Sequence, residues 1–143
     1  MKAIEHRQII SLLHASGCSC VIASGSDVLQ CHRRGVADLL SLLRTKPGVL
    51  LGAFVADKVV GKGAAALMIL GGVASVYADV VSLPALRLLD QAGIPVEYAT
   101  CTDNIINRAG TGICPVESIC RDCATAAECL PLIEDFIDNI INK

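Results

Sequence analysis

Hydrophobic residues recur along the first half of the chain with helical and then strand periods. A broad apolar face over residues 3–15 is typical of an amphipathic helix. Two short β-prone runs, 18–23 and 28–32, flank a glycine-containing turn and predict a hairpin. A helix is then expected over 35–43, ending before Pro-Gly. The continuous apolar run 49–56 predicts a strand that is buried on both faces.

The second half of the chain alternates helices and strands. The predicted elements are a helix over 61–70, a strand over 73–80, a helix capped by Ser82 and closed by Gly93, a strand over 95–100 and a helical region over 115–141. Helical crossovers make the last three strands parallel, with helices on both faces of the sheet. We therefore expect a three-layer α/β/α fold with a five-stranded mixed sheet, in a single domain over 1–143.

The composition narrows the classes of partner. Apolar residues make up 53% of the chain but aromatic ones only 3%, as expected for a sheet core of Val, Ile, Leu and Ala. The net charge is −2, with 12 basic and 14 acidic residues and no basic stripe. A nucleic-acid backbone is therefore not an expected partner.

The mean hydropathy of +0.59 raises the question of a membrane span. The uncharged run 64–77 is shorter than the roughly 20 residues that a span needs, and Gly71-Gly72 interrupts it. The run predicts a buried helix, a turn and a strand instead, so no membrane association is expected. We attribute the surplus of apolar residues to a homo-oligomer interface.

The first seven residues lack the apolar segment of a signal peptide, so a cytoplasmic location is expected. The eight cysteines are then expected to remain thiols rather than to form a disulfide framework.

Five short motifs carry a resemblance to a known family. They are residues 55–66, Ser19-Cys20-Val21-Ile22, Gly35-Val36, Asn107-Arg108 and Cys114-Pro115-Val116-Glu117. With these motifs the chain resembles the prokaryotic domain-of-unknown-function family DUF1893, over nearly its whole length. The resemblance implies a cytidine-deaminase-like fold, and it implies no activity because fold alone does not supply function.

Zinc deaminases need an H-x-E motif at the first crossover helix and P-C-x-x-C at the next. The first helix here begins Gly61-Lys62-Gly63-Ala64, with no metal ligand and no acid, and the second begins Ser82-Leu83-Pro84, with no cysteine. Both halves of the zinc site are missing, so zinc deamination is not expected and no cofactor is predicted.

Residues 57–63 are the strongest functional candidate because they lead from a strand end into a helix N-terminus. The helix N-terminus offers free N–H groups, and Gly61 and Gly63 allow close approach of the backbone. With Lys58 and Lys62 as cations, a phosphate or carboxylate would fit there. The alternative is that the glycines serve tight packing while the lysines face solvent. Asp57 and Lys58 are also candidate catalytic residues, and Ser82 a candidate ligand contact.

Cys101 follows the last predicted strand and should lie near the same edge of the sheet. As a thiolate it would be a candidate nucleophile, although no histidine accompanies it. The alternative is a small buried apolar residue.

Four C-terminal cysteines, Cys114, Cys120, Cys123 and Cys129, are spaced C-x5-C-x2-C-x5-C. The spacing permits a zinc or iron–sulfur site only if the helix breaks near residues 123–125, where Thr125 and Glu128 could form a capping box. Buried thiols or an adventitious disulfide are the favoured interpretations.

The last candidates precede or begin the C-terminal helix. Glu117 lies in its first turn, where it complements the helix dipole. Asn107 and Arg108 could bring an amide and a guanidinium to an anionic ligand, or form a solvated loop.

Two hypotheses follow. In the first, the protein has a deaminase-like scaffold and binds an anionic small molecule, which could be a nucleotide. Catalysis without a metal is compatible with this hypothesis. The alternative is a non-catalytic oligomeric regulatory or assembly module whose C-terminal cysteines respond to redox state or metal.

Overall fold

The computed structural model describes residues 6–33, 36–107 and 109–141. Its elements in chain order are α1 (His6–Ala15), β1 (Cys20–Ser24), β2 (Asp27–Cys31), α2 (Ala37–Thr45), a 3₁₀ turn (Pro47–Val49), β3 (Phe54–Val60), α3 (Lys62–Gly71), β4 (Ser75–Ser82), α4 (Leu83–Gln91), β5 (Val96–Thr102), α5 (Pro115–Ile119), α6 (Ala126–Phe136) and a π-helical turn (Ile137–Ile141). The starts predicted for the first two helices, residues 3–5 and Gly35, lie outside the described residues.

The five strands form one mixed sheet in the order β2-β1-β3-β4-β5. β1 pairs antiparallel with both β2 and β3, whereas β3, β4 and β5 are parallel. Gly25 allows the tight hairpin turn because its φ of 61° lies in the left-handed region. The predicted α/β class, the hairpin and the two parallel crossovers are confirmed.

Helices cover both faces of the sheet unequally. On one face, α1 packs Ile9 and Leu13 against Val21 and Phe54. The larger core lies on the other face, where α2, α3, α4 and α6 contribute buried apolar side chains. At the edge of the smaller core, Asp79 Oδ1 lies 2.7 Å from Nε2 of His14 and accepts a hydrogen bond from the Tyr77 hydroxyl at 2.7 Å. These contacts tie the end of α1 to β4.

The predicted strand over 49–56 is wrong in its bounds, and the error matters for the site. A 3₁₀ turn occupies Pro47–Val49, and the chain reverses at Gly52, whose φ is 71°. Leu50 is buried against Gly71 of α3 instead of entering the sheet. The strand therefore begins at Phe54 and continues to Val60. Asp57 and Lys58 consequently lie within β3 rather than in a loop after it.

The bounds of β4 and of the C-terminal region also differ from the prediction. β4 spans Ser75–Ser82, two residues later than expected, because Gly72 (φ 77°) caps α3 and adds a turn before the strand. The C-terminal region is not one helix. It breaks between α5 and α6 at the predicted place, where the Thr125–Glu128 capping box is present.

The apolar run 64–77 folds as predicted into a buried helix, a glycine turn and a strand. None of the helices in the part of the chain that the structure describes is both long and apolar enough to cross a bilayer.

Candidate functional site

A cleft of about 980 Å³ opens where β3 leads into α3. The start of β1, the ends of β2 and β3, the tip of α3, the loop around Ile105–Asn107 and the start of α5 line it. This is the carboxyl end of the parallel strands, the edge at which open α/β sheets bind ligands. The predicted location of the site therefore coincides with a large concave surface.

Asp57 and Lys58 both line this cleft. Asp57 is only 7% exposed, and its Oδ1 accepts a hydrogen bond from the Val59 N–H at 3.3 Å. Burial raises the pKa of its carboxyl from 3.8 to about 7, because the charged form loses hydration. Lys58 is half-buried and forms no ion pair with any residue that the structure describes. The two side chains are thus an acid that can hold its proton and a cation that has no carboxylate partner within residues 6–33, 36–107 and 109–141.

The N-terminus of α3 is closed by Glu117, a side chain that is 3% exposed. One carboxylate oxygen accepts hydrogen bonds from the Lys62 backbone N–H at 2.9 Å and from the Ser82 hydroxyl at 2.8 Å. The other accepts a hydrogen bond from the Ile105 N–H. A carboxylate on a helix N-terminus is the interaction that the sequence predicted for a ligand. The chain therefore places its own anion at this position.

The Lys62 ammonium points away from the anion position that the sequence suggested. It donates to the carbonyls of Arg121 at 3.2 Å and Cys123 at 2.5 Å, and the residue is 8% exposed. Ser82 is fully buried and caps α4 by accepting a hydrogen bond from the Ala85 N–H at 3.2 Å. Neither residue is among those lining the cleft. Both stabilise the junction of α3, α4 and α5.

The glycines at the tip of α3 permit close packing of that junction. A Cβ on Gly63 would lie 2.3 Å from Cγ1 of Val116, and one on Gly61 would lie 3.2 Å from Cγ1 of Ile105. Both glycines also border the cleft. Their contacts agree with the packing alternative. Of the two lysines of this segment, Lys58 lines the cleft and Lys62 does not.

The chain as a whole matches a known family. The family model described as TM1506, domain of unknown function (DUF1893), matches residues 8–137. This chain belongs to the DUF1893 family. A crystal structure of a DUF1893 family protein from Thermotoga maritima is similar to it, with a TM-score of 0.84, 23% identity, and coverage of 92% of this chain and 91% of that chain. At that identity the likeness shows the fold alone. No curated protein matches the chain.

Asn107 lines the cleft of this DUF1893 protein, but its side chain is already engaged. Its Nδ2 donates to the Thr111 hydroxyl at 3.2 Å, and its Oδ1 accepts a hydrogen bond from the Thr111 N–H at 3.1 Å. Arg108, predicted beside it as a ligand contact, lies outside the described residues.

Cys101 lies on β5 and is exposed, so the interpretation as a small buried residue is wrong. β5 is an edge strand of the sheet, and most of its residues are exposed. Cys101 does not line the cleft and is not brought together with Asp57 and Lys58.

The four C-terminal cysteines of this DUF1893 protein separate into two environments. Cys114 is half-buried at the start of α5 and lines the cleft. Cys120 and Cys129 are fully buried, and burial raises the pKa of both thiols. Cys129 interacts through its side chain with Cys120 and Cys123. Over the described ranges, no group of three or more His, Cys, Asp or Glu side chains has the geometry to hold a metal ion.

Two features of the site were missed by sequence reasoning. The first is the tertiary role of Glu117, since a first-turn acid already has a local explanation in the helix dipole. The second is that Cys20, Cys31 and Asp57 lie in register across three strands. The hairpin pattern could have indicated the cysteine pair, because a turn at Gly25-Ser26 fixes which residues of the two strands face each other.

Proposed function

We propose that this protein binds a small anionic molecule in the cleft beside Asp57 and Lys58, with nucleotides and nucleoside phosphates as the first class to test. The observation that supports it is a nearly buried acid with no basic partner among the described residues, on the wall of a cleft of about 980 Å³. A buried ionisable group with a shifted pKa in a large cleft is typical of functional sites. The cytidine-deaminase-like scaffold, without the zinc residues, is part of this proposal.

The cleft offers complementary surfaces for such a ligand. Val36, Leu39, Ile105, Val116 and Phe136 give it apolar walls that suit a flat ring. The Asp57 carboxylate is suited to accept hydrogen bonds from ring N–H or amino groups.

The anionic part of the ligand needs a cation that is still available. Lys58 meets this need, since no described carboxylate pairs with it. Arg33 also lines the cleft, but its Nε already lies 2.6 Å from Asp38 Oδ1. The ligand's phosphate or carboxylate is therefore expected at Lys58 rather than on the α3 N-terminus, where Glu117 lies.

An acid with a pKa of about 7 is also suited to proton transfer at neutral pH. Asp57 is therefore the residue that would act as general acid or base if the bound molecule reacts. No metal is required for that role.

Thermal unfolding with a panel of nucleotides, nucleoside phosphates and other anionic metabolites tests the proposal. A ligand at a hundred times its Kd should stabilise the fold by about 2.7 kcal/mol. For a chain of this length that corresponds to a Tm increase of about 5–10 °C. Lys58→Gln should reduce the increase strongly, because it removes the cation that faces the phosphate.

Lys46→Gln is the matched control, since Lys46 is an exposed lysine after α2 that does not line the cleft. It should leave the ligand-induced shift unchanged. If no member of the panel raises the Tm, or if the two variants lose the shift equally, the cleft does not bind anions as proposed.

A further inference from the structure

Three side chains form a transverse row across neighbouring strands. Cys31 on β2 lies opposite Cys20 on β1, and Cys20 lies opposite Asp57 on β3. Residues directly opposite in antiparallel strands point to the same face, with Cα atoms about 4.5–5.5 Å apart. A disulfide requires a Cα separation of about 4.4–6.8 Å. The backbone therefore holds these two free thiols at a distance that a disulfide can span.

The two thiols of this row differ in acidity. The interaction between the two side chains lowers the pKa of Cys31 and raises that of Cys20, and burial raises the Cys20 pKa further. The thiolate is the nucleophilic form of cysteine. In a reaction of the pair, Cys31 would accordingly attack first and Cys20 second.

Small molecules have a path to the pair. Cys20 and Cys31 both line the large cleft, and Cys31 also lines a second hollow of about 300 Å³ between β2 and α2. Each is 5% exposed. Cys120 and Cys129 also interact with each other, but they are fully buried and line neither space. They form a natural control pair.

We propose that Cys20 and Cys31 are a redox-active dithiol that reduces a small disulfide bound in the cleft, with Asp57 as the proton acceptor for Cys20. This inference does not depend on nucleotide binding, and its test contains no nucleotide. It concerns a second use of the same cleft.

The reaction balances as a thiol–disulfide exchange. The Cys31 thiolate attacks one sulfur of the substrate disulfide, forming a mixed disulfide and releasing the first substrate thiolate, which takes up the Cys31 proton from solvent. Cys20 gives its proton to Asp57 and attacks the Cys31 sulfur, forming the Cys20–Cys31 bond and releasing the second thiolate, which is protonated in turn. Two electrons pass from the pair to the substrate, and Asp57 returns its proton to solvent.

The test uses the reduced full-length chain and bis(2-hydroxyethyl) disulfide, an uncharged small disulfide. Samples are quenched over time with iodoacetamide and analysed by intact mass and peptide mapping. The wild type should form a Cys20–Cys31 disulfide that dithiothreitol reverses. Cys20→Ser should stop at a mixed disulfide on Cys31, and Cys31→Ser should lose the fast reaction. Cys120→Ser should behave as the wild type.

Asp57→Asn separates proton transfer from a structural role. The mixed disulfide on Cys31 should form at the wild-type rate, whereas its resolution should slow about a hundredfold, the scale of general-base contributions. Equal slowing of both steps would show that Asp57 only supports the fold.

Peptide mapping of the wild type decides the main point even where a variant fails to fold. If exposed Cys101 is modified while no Cys20–Cys31 bond forms, the pair is not redox-active. Failure of the nucleotide panel leaves this result unaffected, so the two proposals fail separately.

Discussion

At the scale of single residues, the surroundings of Asp57 decide its chemistry. Its strand position takes the carboxyl out of water, and no described cation compensates for the lost hydration. The pKa of Asp57 therefore rises to about 7. The pKa of Asp38 is lowered instead, because its hydrogen bonds from Arg33 and His32 outweigh the effect of burial. Two aspartates that border one cleft are thus prepared for different roles.

The raised pKa of Asp57 makes stability depend on pH. The unfolded carboxyl releases its proton near pH 4 and the folded one near pH 7, so between these values the folded chain holds one more proton. Stability therefore falls as the pH rises through this interval and is constant above it. Because of Asp57, the free energy of unfolding of the wild type, measured with urea, should be about 2–3 kcal/mol lower at pH 8 than at pH 5.

Asp57→Asn should remove most of that difference, because an amide of the same shape does not ionise. Asp90→Asn, at an exposed aspartate on α4, should retain the wild-type pH dependence. Equal pH dependence in the wild type and Asp57→Asn would mean that Asp57 ionises normally in the fold.

The sequence predicted that Asp57 and Lys58 lie near a strand–helix junction, which is a local property, and both residues line the cleft there. The roles of Lys62 and Ser82 could not be derived in the same way. Their partners, the carbonyls after α5 and the Glu117 carboxylate, are 35 to 61 residues away along the chain. Only the tertiary fold brings such groups together.

At the scale of elements, hydrophobic patterning predicted every strand and most helices but shifted β3 and β4. An apolar run such as 49–56 does not distinguish residues that pack as a turn against a helix from those that enter the sheet. The contact between Leu50 and Gly71 keeps Leu50 out of the sheet, and no local sequence pattern encodes that contact. The capping box at Thr125 was predictable because its two residues are three apart.

Glu117 joins three elements, and its removal should be costly. Glu117→Ala leaves the Lys62 and Ile105 N–H groups and the Ser82 hydroxyl without their shared acceptor. Since each unsatisfied buried donor costs about 1–3 kcal/mol, we expect a loss of about 3 kcal/mol or more in the free energy of unfolding.

Glu134→Ala is the control, because Glu134 pairs with Arg44 on the surface. The loss in the free energy of unfolding that this variant shows in urea should be much smaller than that of Glu117→Ala. Comparable losses for the two variants would show that the buried carboxylate does not hold the junction together.

At the scale of the whole molecule, the fold matches that of a DUF1893 crystal structure, and a large cleft lies at the carboxyl edge of the parallel strands. The internal carboxylate at the α3 N-terminus moves the expected ligand position from the helix tip toward β3. β5 is an exposed edge strand, and such an edge can pair with a strand of another chain. Formation of a homo-oligomer therefore remains a prediction.

The most direct test of the ligand site is a nuclear magnetic resonance titration of the ¹⁵N-labelled protein with the best-stabilising nucleotide. The amide signals of Cys20, Asp57, Lys58 and Asn107, which line the cleft, should shift together and saturate with one Kd. Signals from Lys46 and Asp90, which lie outside it, should not move. Saturable shifts confined to residues outside the cleft, or none at any residue, would contradict the account.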